Sequence, residues 1–228
     1  MPETLPAFAF ADFAIRLENL SSTAQVVEAL QDAAPLLLGC GHVSLLLYRD
    51  RQLQVAGGTD ESLTAATGAQ LELGEGPALL VAQGAAEVAC PDLRTEHQWP
   101  RWAPYAAGLG WRSWLCLRLA RRERRCLGVL TVGSRGIEQF QGELAGRAHV
   151  LAAHLAVAID TTQMQENMMR AQDAQMRVGQ AVGVLMERYQ LDADQAFSVL
   201  RRYSQDRQMK LRDVAAELLT TRRLPDVE

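Results

Sequence analysis

Cysteine and histidine side chains are the residues of this sequence that are best suited to metal binding or nucleophilic chemistry. Cys90 and His97 lie seven residues apart and no CxxC pair occurs, so their spacing does not predict a structural zinc site. His42, His149 and His154 accompany no nucleophile or paired-carboxylate motif, and we expect them to be structural, hydrogen-bonded side chains. The sequence also lacks a phosphate-binding loop, a dinucleotide fingerprint and a hydrolase elbow. It therefore predicts no catalytic residue, no metal site and no enzyme.

Thiol chemistry is the enzymatic alternative that the composition leaves open. Of the four cysteines, Cys40, Cys90 or Cys116 would have to ligate a haem or form an accessible, activated pair for a reaction such as sulfoxide reduction. The N-terminal residues lack the basic start and apolar core of an export signal, so we expect reduced thiols in a cytoplasmic protein. No apolar stretch approaches the roughly 18 residues of a membrane helix, and we expect no membrane association.

The charge of the chain differs between its two ends. The whole sequence has 23 basic and 27 acidic residues, a net charge of −4 that excludes a generally basic nucleic-acid-coating protein. Residues 1–160 contain 13 basic and 17 acidic residues, whereas residues 170–224 contain 10 and 7, a net charge of +3. The C-terminal segment is therefore mildly basic, although a charge of +3 also occurs on ordinary protein surfaces.

Both helices and strands are predicted in residues 1–160, which contain the cysteines and histidines described above. Apolar spacing predicts a helix over 17–38, with Ser21 or Ser22 able to cap its start. The alternation on both sides of Arg49–Arg51 predicts a β-hairpin, and Pro77 suits the first turn of a short helix. Further strands are predicted at 88–90, 114–119 and 126–132, with a long loop over 91–110. This pattern predicts an α+β fold.

A single long helix is predicted from Glu143 onward, because no proline lies between Pro104 and Pro225. Its length would be roughly 50 Å or more. Residues at alternating spacings of three and four suggest a heptad-like seam with a polar middle: Leu144, Ala148, Leu151, Leu155, Ala158, Thr162, Gln165, Met169, Gln172 and Met176. We interpret residues 143–178 as a coiled-coil connector of a parallel homodimer. The alternative is a terminal domain helix followed by a polar linker around 161–167.

The last fifty residues predict a three-helix bundle. The long helix is expected to end near Tyr189, and Asp192 with Gln195 forms a capping-box pattern at the start of the second helix. The apolar stripe of the second helix is Ala196, Val199, Leu200 and Tyr203, and that of the third is Leu211, Val214, Ala215, Leu218 and Leu219. Pro225 is expected to end the third helix.

Residue patterns over 173–224 closely resemble the ANTAR domain. They lie at 181–188 (AVGVLMER), 196–197 (AF), 200–201 (LR), 204–205 (SQ) and 211–215 (LRDVA). Val182 departs from the pattern, since the family often has lysine there. The resemblance implies an RNA-binding antiterminator that recognises paired hairpins in nascent leader RNA and prevents formation of a terminator hairpin.

The residues that we expect to contact RNA lie on all three C-terminal helices: Arg177, Gln180, Ala181, Gly183, Arg188, Arg201, Ser204, Lys210 and Arg212. Gly183 inside a helix costs roughly 1 kcal/mol relative to alanine, so the position needs a reason. Ala181 and Gly183 would leave a bare patch for an RNA backbone or a splayed base, although close helix packing is the alternative. A DNA-reading helix-turn-helix also fits three helices, but here the positive charge is spread and not gathered on one helix.

Residues 15–160 resemble a GAF domain, an antiparallel sheet flanked by helices that often binds a small molecule under a covering loop. The motifs lie at 74–77 (GEGP), 91–93 (PDL), 99–102 (WPRW), 110–113 (GWRS) and 127–130 (LGVL). The covering segment would be about 85–112, and an unidentified ligand would meet Trp99, Trp102, Tyr105, Trp111 and Trp114. Alternatively, these aromatic side chains anchor a long loop to the core.

Together these patterns predict a dimeric sensor and effector. The GAF-like domain would receive a signal, the long helix would transmit it, and the ANTAR-like bundle would bind RNA hairpins to relieve termination. Two other functions remain open: a DNA-binding transcriptional regulator with a ligand-binding GAF domain, and an interaction protein in which the GAF-like part only dimerises.

Overall fold

The computed structural model of the chain describes residues 4–39, 42–121 and 125–222. Cys40 therefore lies outside the described residues, as does Pro225 with its predicted role as a helix stop. The chain divides into two compact units, residues 1–164 and 165–228. The elements are α1 (Thr4–Glu18), α2 (Thr23–Leu38), β1 (His42–Arg49), β2 (Gln52–Gly58), α3 (Glu61–Leu73), α4 (Pro77–Gln83), β3 (Glu87–Cys90), α5 (Trp102–Gly108), β4 (Ser113–Arg121), β5 (Arg125–Ser134), α6 (Gly142–Tyr189), α7 (Ala193–Asp206) and α8 (Leu211–Thr221).

The first unit is built on a five-stranded sheet with the order β2-β1-β5-β4-β3, in which every pairing is antiparallel. The β1–β2 hairpin turns at Asp50 and Arg51, which have φ values of 48° and 67°. Positive φ at both central residues is the geometry of a two-residue turn that follows the right-handed twist of paired strands. The predicted hairpin and the α+β class are confirmed.

Each face of the sheet carries its own hydrophobic core, because side chains alternate between the two faces along a strand. Val43, Leu45 and Leu47 of β1 pack with α1, α2 and the first part of α6. Leu46 points to the other face, where α3, α4 and the segment that contains α5 pack over Cys116 of β4. The sheet is therefore covered on both faces by helices.

Two helical regions differ from the sequence predictions. Ser22 caps α2 as predicted, by accepting from the backbone N–H of Gln25 at 3.3 Å, but the helix begins at Thr23 and residues 17–18 belong to α1, which the sequence did not predict. The predicted loop over 91–110 contains α5. Pro104 is the third residue of α5, where the backbone N–H has no partner within the helix, so proline is tolerated there. Proline content alone had suggested a loop.

The first half of the predicted seam on α6 is used inside the first unit. Ala148, Leu151, Leu155 and Ala158 are buried in the core that α1 and α2 share with the sheet. Thr162 is also buried, and its hydroxyl donates to the carbonyl of Ala158 at 2.9 Å. A coiled-coil seam through these residues is therefore wrong, because apolar periodicity reports a buried face without identifying what covers it. Gln165, Met169, Gln172 and Met176 are exposed, and their place in a seam stays a prediction.

The second unit contains the end of α6 together with α7 and α8, the three helices that the sequence predicts. Their small core consists of Ala181, Leu185, Ala196, Leu200, Val214, Ala215 and Leu218. The predicted capping box is confirmed: Asp192 Oδ1 accepts from the N–H of Gln195 at 2.8 Å, and Gln195 Oε1 accepts from the N–H of Asp192 at 3.1 Å. No helix among the described residues is long and apolar enough to span a membrane.

Candidate functional site

The second unit exposes a cluster of arginines at a cleft of about 290 Å³ between α6 and α8. Arg170 and Arg177 lie two turns apart on α6, and Arg212 approaches from the first turn of α8. Two carboxylates, Asp173 and Asp213, share the cleft, and Arg212 Nε lies 3.4 Å from Asp213 Oδ1. Guanidinium groups beside such a cleft can bind phosphate and stack on bases, while the carboxylates accept hydrogen bonds from base amino groups.

Three polar residues of this cleft, Arg170, Asp173 and Asp213, were missed in the sequence. Arg170 and Asp173 belong to the polar stretch of α6 that precedes the recognisable C-terminal motifs. The spacing of seven between Arg170 and Arg177 places both on one helix face, which was the available signal. Their meeting with Arg212 is a tertiary contact that no local pattern reports.

The bare surface on α6 is formed by Gly183 and not by Ala181, which corrects the patch expected from the sequence. Ala181 is fully buried in the three-helix core. Gly183 and Gly179 are exposed, and a Cβ built at either position would meet no atom within 4 Å among the described residues. Each glycine costs the helix roughly 1 kcal/mol relative to alanine and gains no packing within the unit.

Two predicted contact residues already serve the structure of the bundle. Ser204 is half-buried, and its hydroxyl donates to the carbonyl of Met209 at 2.6 Å, which ties the end of α7 to the following turn. The Arg188 guanidinium donates to the carbonyl of Arg222 at the end of α8 and lies 5.7 Å from the centre of the Tyr189 ring. Their proposed contacts with RNA stay predictions.

The remaining predicted residues lie on the surface of the bundle. Gln180 is exposed on α6, Arg201 is exposed on α7, and Lys210 is exposed at the N-cap position of α8. The neighbouring Arg202 is 3.6 Å from Asp206 one turn along α7, so its charge is partly neutralised, as is that of Arg170 in the cleft, which lies 3.5 Å from Glu166. The structure thus gathers Arg177 and Arg212 at one cleft and leaves the other cations distributed.

In the first unit, the four tryptophans form one buried cluster. Trp102 packs edge to face against Trp99 and Trp114, with centroids 5.9 and 5.1 Å apart, and Trp111 lies 6.3 Å from Trp114. The Trp102 indole also donates to the carbonyl of Ala66 at 2.8 Å. Tyr105 is 45% exposed and stands apart from the cluster. The indoles therefore pack as a core, which matches the alternative that the sequence left open.

Several polar atoms beside this cluster are buried without a hydrogen-bond partner among the described residues. They are Ser44 Oγ, Thr67 Oγ1, Gln70 Nε2 and Trp111 Nε1. The Trp114 indole N–H faces the Cys116 thiol and can donate to it. Ser44 is paired with Thr131 across the sheet, and Thr131 is paired with Cys116 on β4. An unpaired buried polar group costs about 1–3 kcal/mol, so a water molecule or a ligand atom that supplied a hydrogen-bond partner would be stabilised there.

The segment over the cluster is held by a bidentate ion pair. Arg112 Nη2 donates to Asp92 Oδ2 at 2.8 Å, and Arg112 Nε donates to Oδ1 at 3.2 Å. The hydrogen bonds from Arg112 hold the pKa of the Asp92 carboxyl below its ordinary value. Arg112 also accepts at its carbonyl from the backbone N–H of Leu93 at 2.7 Å, so both ends of the covering segment are tied together.

Two of the three described thiols, those of Cys90 and Cys116, are poorly suited to nucleophilic chemistry. Cys90 and Cys116 are both buried. Burial raises the pKa of the Cys116 thiol to about 12, and burial together with the neighbouring Cys116 raises the pKa of Cys90. A thiol reaction needs the thiolate, so these two side chains remain protonated and unreactive at neutral pH.

Comparisons with known proteins identify both parts of the chain. A GAF domain family model matches residues 21–160, and an ANTAR domain model matches residues 166–219. No curated protein matches the chain with significant similarity.

Solved structures support the fold of the first unit. The GAF domain of a phosphoenolpyruvate-protein phosphotransferase from Coxiella burnetii is 16% identical with a TM-score of 0.58, over 73% of this chain and 99% of that one. The corresponding Acinetobacter domain is 15% identical with a TM-score of 0.54 and the same coverage. A phytochrome photosensory core module from Stigmatella aurantiaca is 12% identical with a TM-score of 0.57, over 89% of this chain and 45% of that one. At these identities the likeness concerns the fold alone. With the family models, it shows that the chain belongs to the GAF domain family, in the architecture in which an ANTAR domain follows the GAF domain.

Proposed function

We propose that the chain is a signal-dependent RNA-binding antiterminator without enzymatic activity, acting in the cytoplasm on nascent leader transcripts. The second unit, residues 165–228, is called the ANTAR unit from here on. It would bind paired RNA hairpins and thereby prevent formation of a terminator. The observation that carries this proposal is the exposed cleft in the ANTAR unit, where Arg170, Arg177 and Arg212 converge. Three cations beside two hydrogen-bond acceptors suit an RNA loop, in which phosphates and unstacked bases are presented together.

A homodimer is part of the proposal, because paired hairpins require two bundles. Linking two binding units makes the second binding event intramolecular and raises the overall affinity without any new contact. A change in the packing of α6 would then alter the spacing of the two ANTAR units, and so couple the sensor to RNA binding.

The first unit, residues 1–164, is called the GAF unit from here on. Its signal would be a small molecule that binds at the buried polar atoms that have no hydrogen-bond partner. Gln70 Nε2 and Trp111 Nε1 are both donors, so the ligand would present hydrogen-bond acceptors. Native mass spectrometry of freshly purified protein should detect such a molecule. Trp111→Phe leaves an aromatic ring but removes the indole N–H donor, and it should weaken retention of that molecule.

The RNA proposal is tested by affinity selection from a pool of tandem hairpins with randomised loops, followed by binding measurements on the selected RNA. The double variant Arg177→Ala/Arg212→Ala should lose about a hundredfold or more in affinity, because each lost hydrogen bond to a charged group contributes about 1.5–3 kcal/mol. A matched control is Arg202→Ala/Arg207→Ala, which removes the same charge from the end of α7 and should change affinity little.

Duplex DNA of equal length distinguishes the alternative function. RNA binding should exceed DNA binding across a salt series, with a shallow salt dependence because few phosphates are neutralised. Preferential binding of duplex DNA would instead support a DNA-binding regulator. An equal loss of RNA affinity in both double variants would show that only the net charge of the protein matters. That result would contradict the proposal that RNA binds at the cleft.

A further inference from the structure

The outer surface of the covering segment contains a cleft that the proposed function does not use. It has a volume of about 530 Å³ and lies between residues 93–100 and α5. That volume is within the range of roughly 300–1,000 Å³ that is usual for small-molecule sites in proteins. All of its lining residues belong to the covering segment, so this cleft is separate from the buried polar atoms of Ser44, Thr67 and Gln70.

Two exposed side chains with nitrogen donors line this cleft, those of Arg94 and His97. Neither side chain makes a hydrogen bond or a salt bridge in the part of the chain that the structure describes. A guanidinium group presents its N–H donors in a fixed fork that matches carboxylate and phosphate oxygens, and an imidazole has at least one N–H donor in either protonation state. Both side chains are therefore available to an anion.

The nearby carboxylates are bound to other groups. Asp92 accepts from the Arg112 guanidinium at 2.8 Å and from the backbone N–H of Arg94 at 3.1 Å, while the Arg94 side chain acts on it only through its charge. Glu96 lines the cleft, but its Oε1 accepts from the backbone N–H of Gln98 at 2.7 Å. An anion would therefore meet two donor side chains and be repelled by one lining carboxylate, that of Glu96.

The rest of the cleft is mostly apolar. Leu93, Pro100, Pro104 and Ala107 line it beside the polar side chains. Leu93 is buried, and its backbone N–H donates to the carbonyl of Arg112 at 2.7 Å, which fixes this part of the cleft. The two proline rings restrict the backbone on which they lie. An apolar lining with a few polar groups is the usual composition of a site for a small molecule.

We infer that this cleft binds a small organic anion, in which a carboxylate or phosphate group is attached to an apolar body. Arg94 and His97 would bind the acidic group, and the body would lie against Leu93 and the two prolines. Charge complementarity favours an anion over a cation, and the volume of the cleft favours a small molecule. A bound anion would connect residues 94–97 to α5. The inference is independent of RNA binding, so its failure would leave the proposed function unchanged.

Isothermal titration calorimetry of the full-length protein tests the recognition of charge. The probes are benzoate, phenyl phosphate and benzamide, which share one aromatic ring and differ in the attached group. At least one of the two anions should bind saturably at one site per chain, and the anion that binds more tightly shows whether carboxylate or phosphate is preferred. Benzamide is uncharged and should bind at least tenfold more weakly. Saturable binding of neither anion, or equal affinity for benzamide, would overturn the inference.

Charge variants test which side chains bind the anion. Arg94→Gln should weaken binding of the preferred anion at least tenfold, and Glu96→Gln should strengthen it, because a repulsive charge is removed. Arg49→Gln is the matched control, since Arg49 is exposed at the end of β1 and does not line the cleft. It should change the affinity less than twofold. An equal loss in Arg94→Gln and Arg49→Gln would show unspecific attraction by the charge of the protein and would overturn the inference.

A glycine substitution tests the location of the site without changing any charge. Gly108 lines the cleft at the end of α5, and a Cβ built there would meet no atom within 4 Å among the described residues. Gly108→Leu should therefore be tolerated by the fold and should weaken anion binding at least tenfold by occupying the cleft. Gly146→Leu is the matched control, because a Cβ at this α6 position also meets no described atom within 4 Å. Undiminished binding to Gly108→Leu would contradict the inference.

Discussion

The GAF unit buries its chemically distinctive side chains, whereas the ANTAR unit exposes them. Four tryptophans and the unpartnered polar atoms of the GAF unit lie inside a core between the sheet and its helices. The ANTAR unit has a small core of alanine, valine and leucine, and its arginines line an open cleft. Under the proposed function, the signal would therefore act on a packed interior, whereas RNA would meet a surface that is already formed.

The largest expected effect is a loss of stability in the buried core of the GAF unit. Trp102→Ala removes two edge-to-face contacts and the hydrogen bond to Ala66, and should destabilise the GAF unit by about 3–5 kcal/mol. Tyr105→Ala, an exposed aromatic in the same helix, should cost well under half of that. Urea denaturation followed by tryptophan emission measures both values. Similar losses in the two variants would show that the cluster is not the packed core described above.

A smaller effect is expected in the core of the ANTAR unit. Leu200→Ala should cost that unit about 2–5 kcal/mol, while Phe197→Ala, exposed on the same helix, should cost less. All four tryptophans lie in the GAF unit, so their emission transition should not move when Leu200 is truncated. Far-UV circular dichroism should then show an earlier transition. A shift of the tryptophan transition in Leu200→Ala would mean that the two units unfold together.

The smallest expected effect concerns the ion pair of the covering segment. The pKa of Asp92 is below its ordinary value of 3.8 when folded, so its contribution to stability is present above pH 3.8 and is lost as the pH falls through the folded pKa. The stability difference between wild type and Asp92→Asn should therefore shrink at acidic pH. In an Arg112→Ala background, this pH dependence should be smaller, because only the Arg94 backbone N–H and the Arg94 charge would still lower the pKa of Asp92. A difference that stays constant with pH would remove the role assigned to Arg112.

Local signals in the sequence predicted the elements whose cause is local. The Asp192–Gln195 capping box and the Asp50–Arg51 hairpin turn depend on residues within a few positions of one another, and both are found in the structure. Helix α5 was missed because its proline was interpreted without regard to its place in the first turn. Proline disrupts the interior of a helix but is tolerated in its first turn, so the presence of proline alone does not predict a loop.

Tertiary relations were harder to predict, for a physical reason. The repeat through Leu151 and Leu155 shows that one face of α6 is buried, but the same periodicity arises whether the cover is a sheet or a second chain. Likewise, composition suggested a basic C-terminal region, while the meeting of Arg170 with Arg212 depends on how α8 packs against α6. Ala181 was predicted to lie on the surface because it is small and close to Gly183. In the structure its side chain is buried in the three-helix core.

Transcription through a terminator tests the antitermination proposal most directly. A template would carry a selected hairpin pair placed so that the second hairpin overlaps a terminator, and single-round transcription would be measured with increasing amounts of the purified chain. We predict that read-through rises with wild-type protein and with Arg202→Ala/Arg207→Ala, but not with Arg177→Ala/Arg212→Ala. Unchanged read-through at concentrations where wild-type protein saturates the hairpin pair would contradict the account.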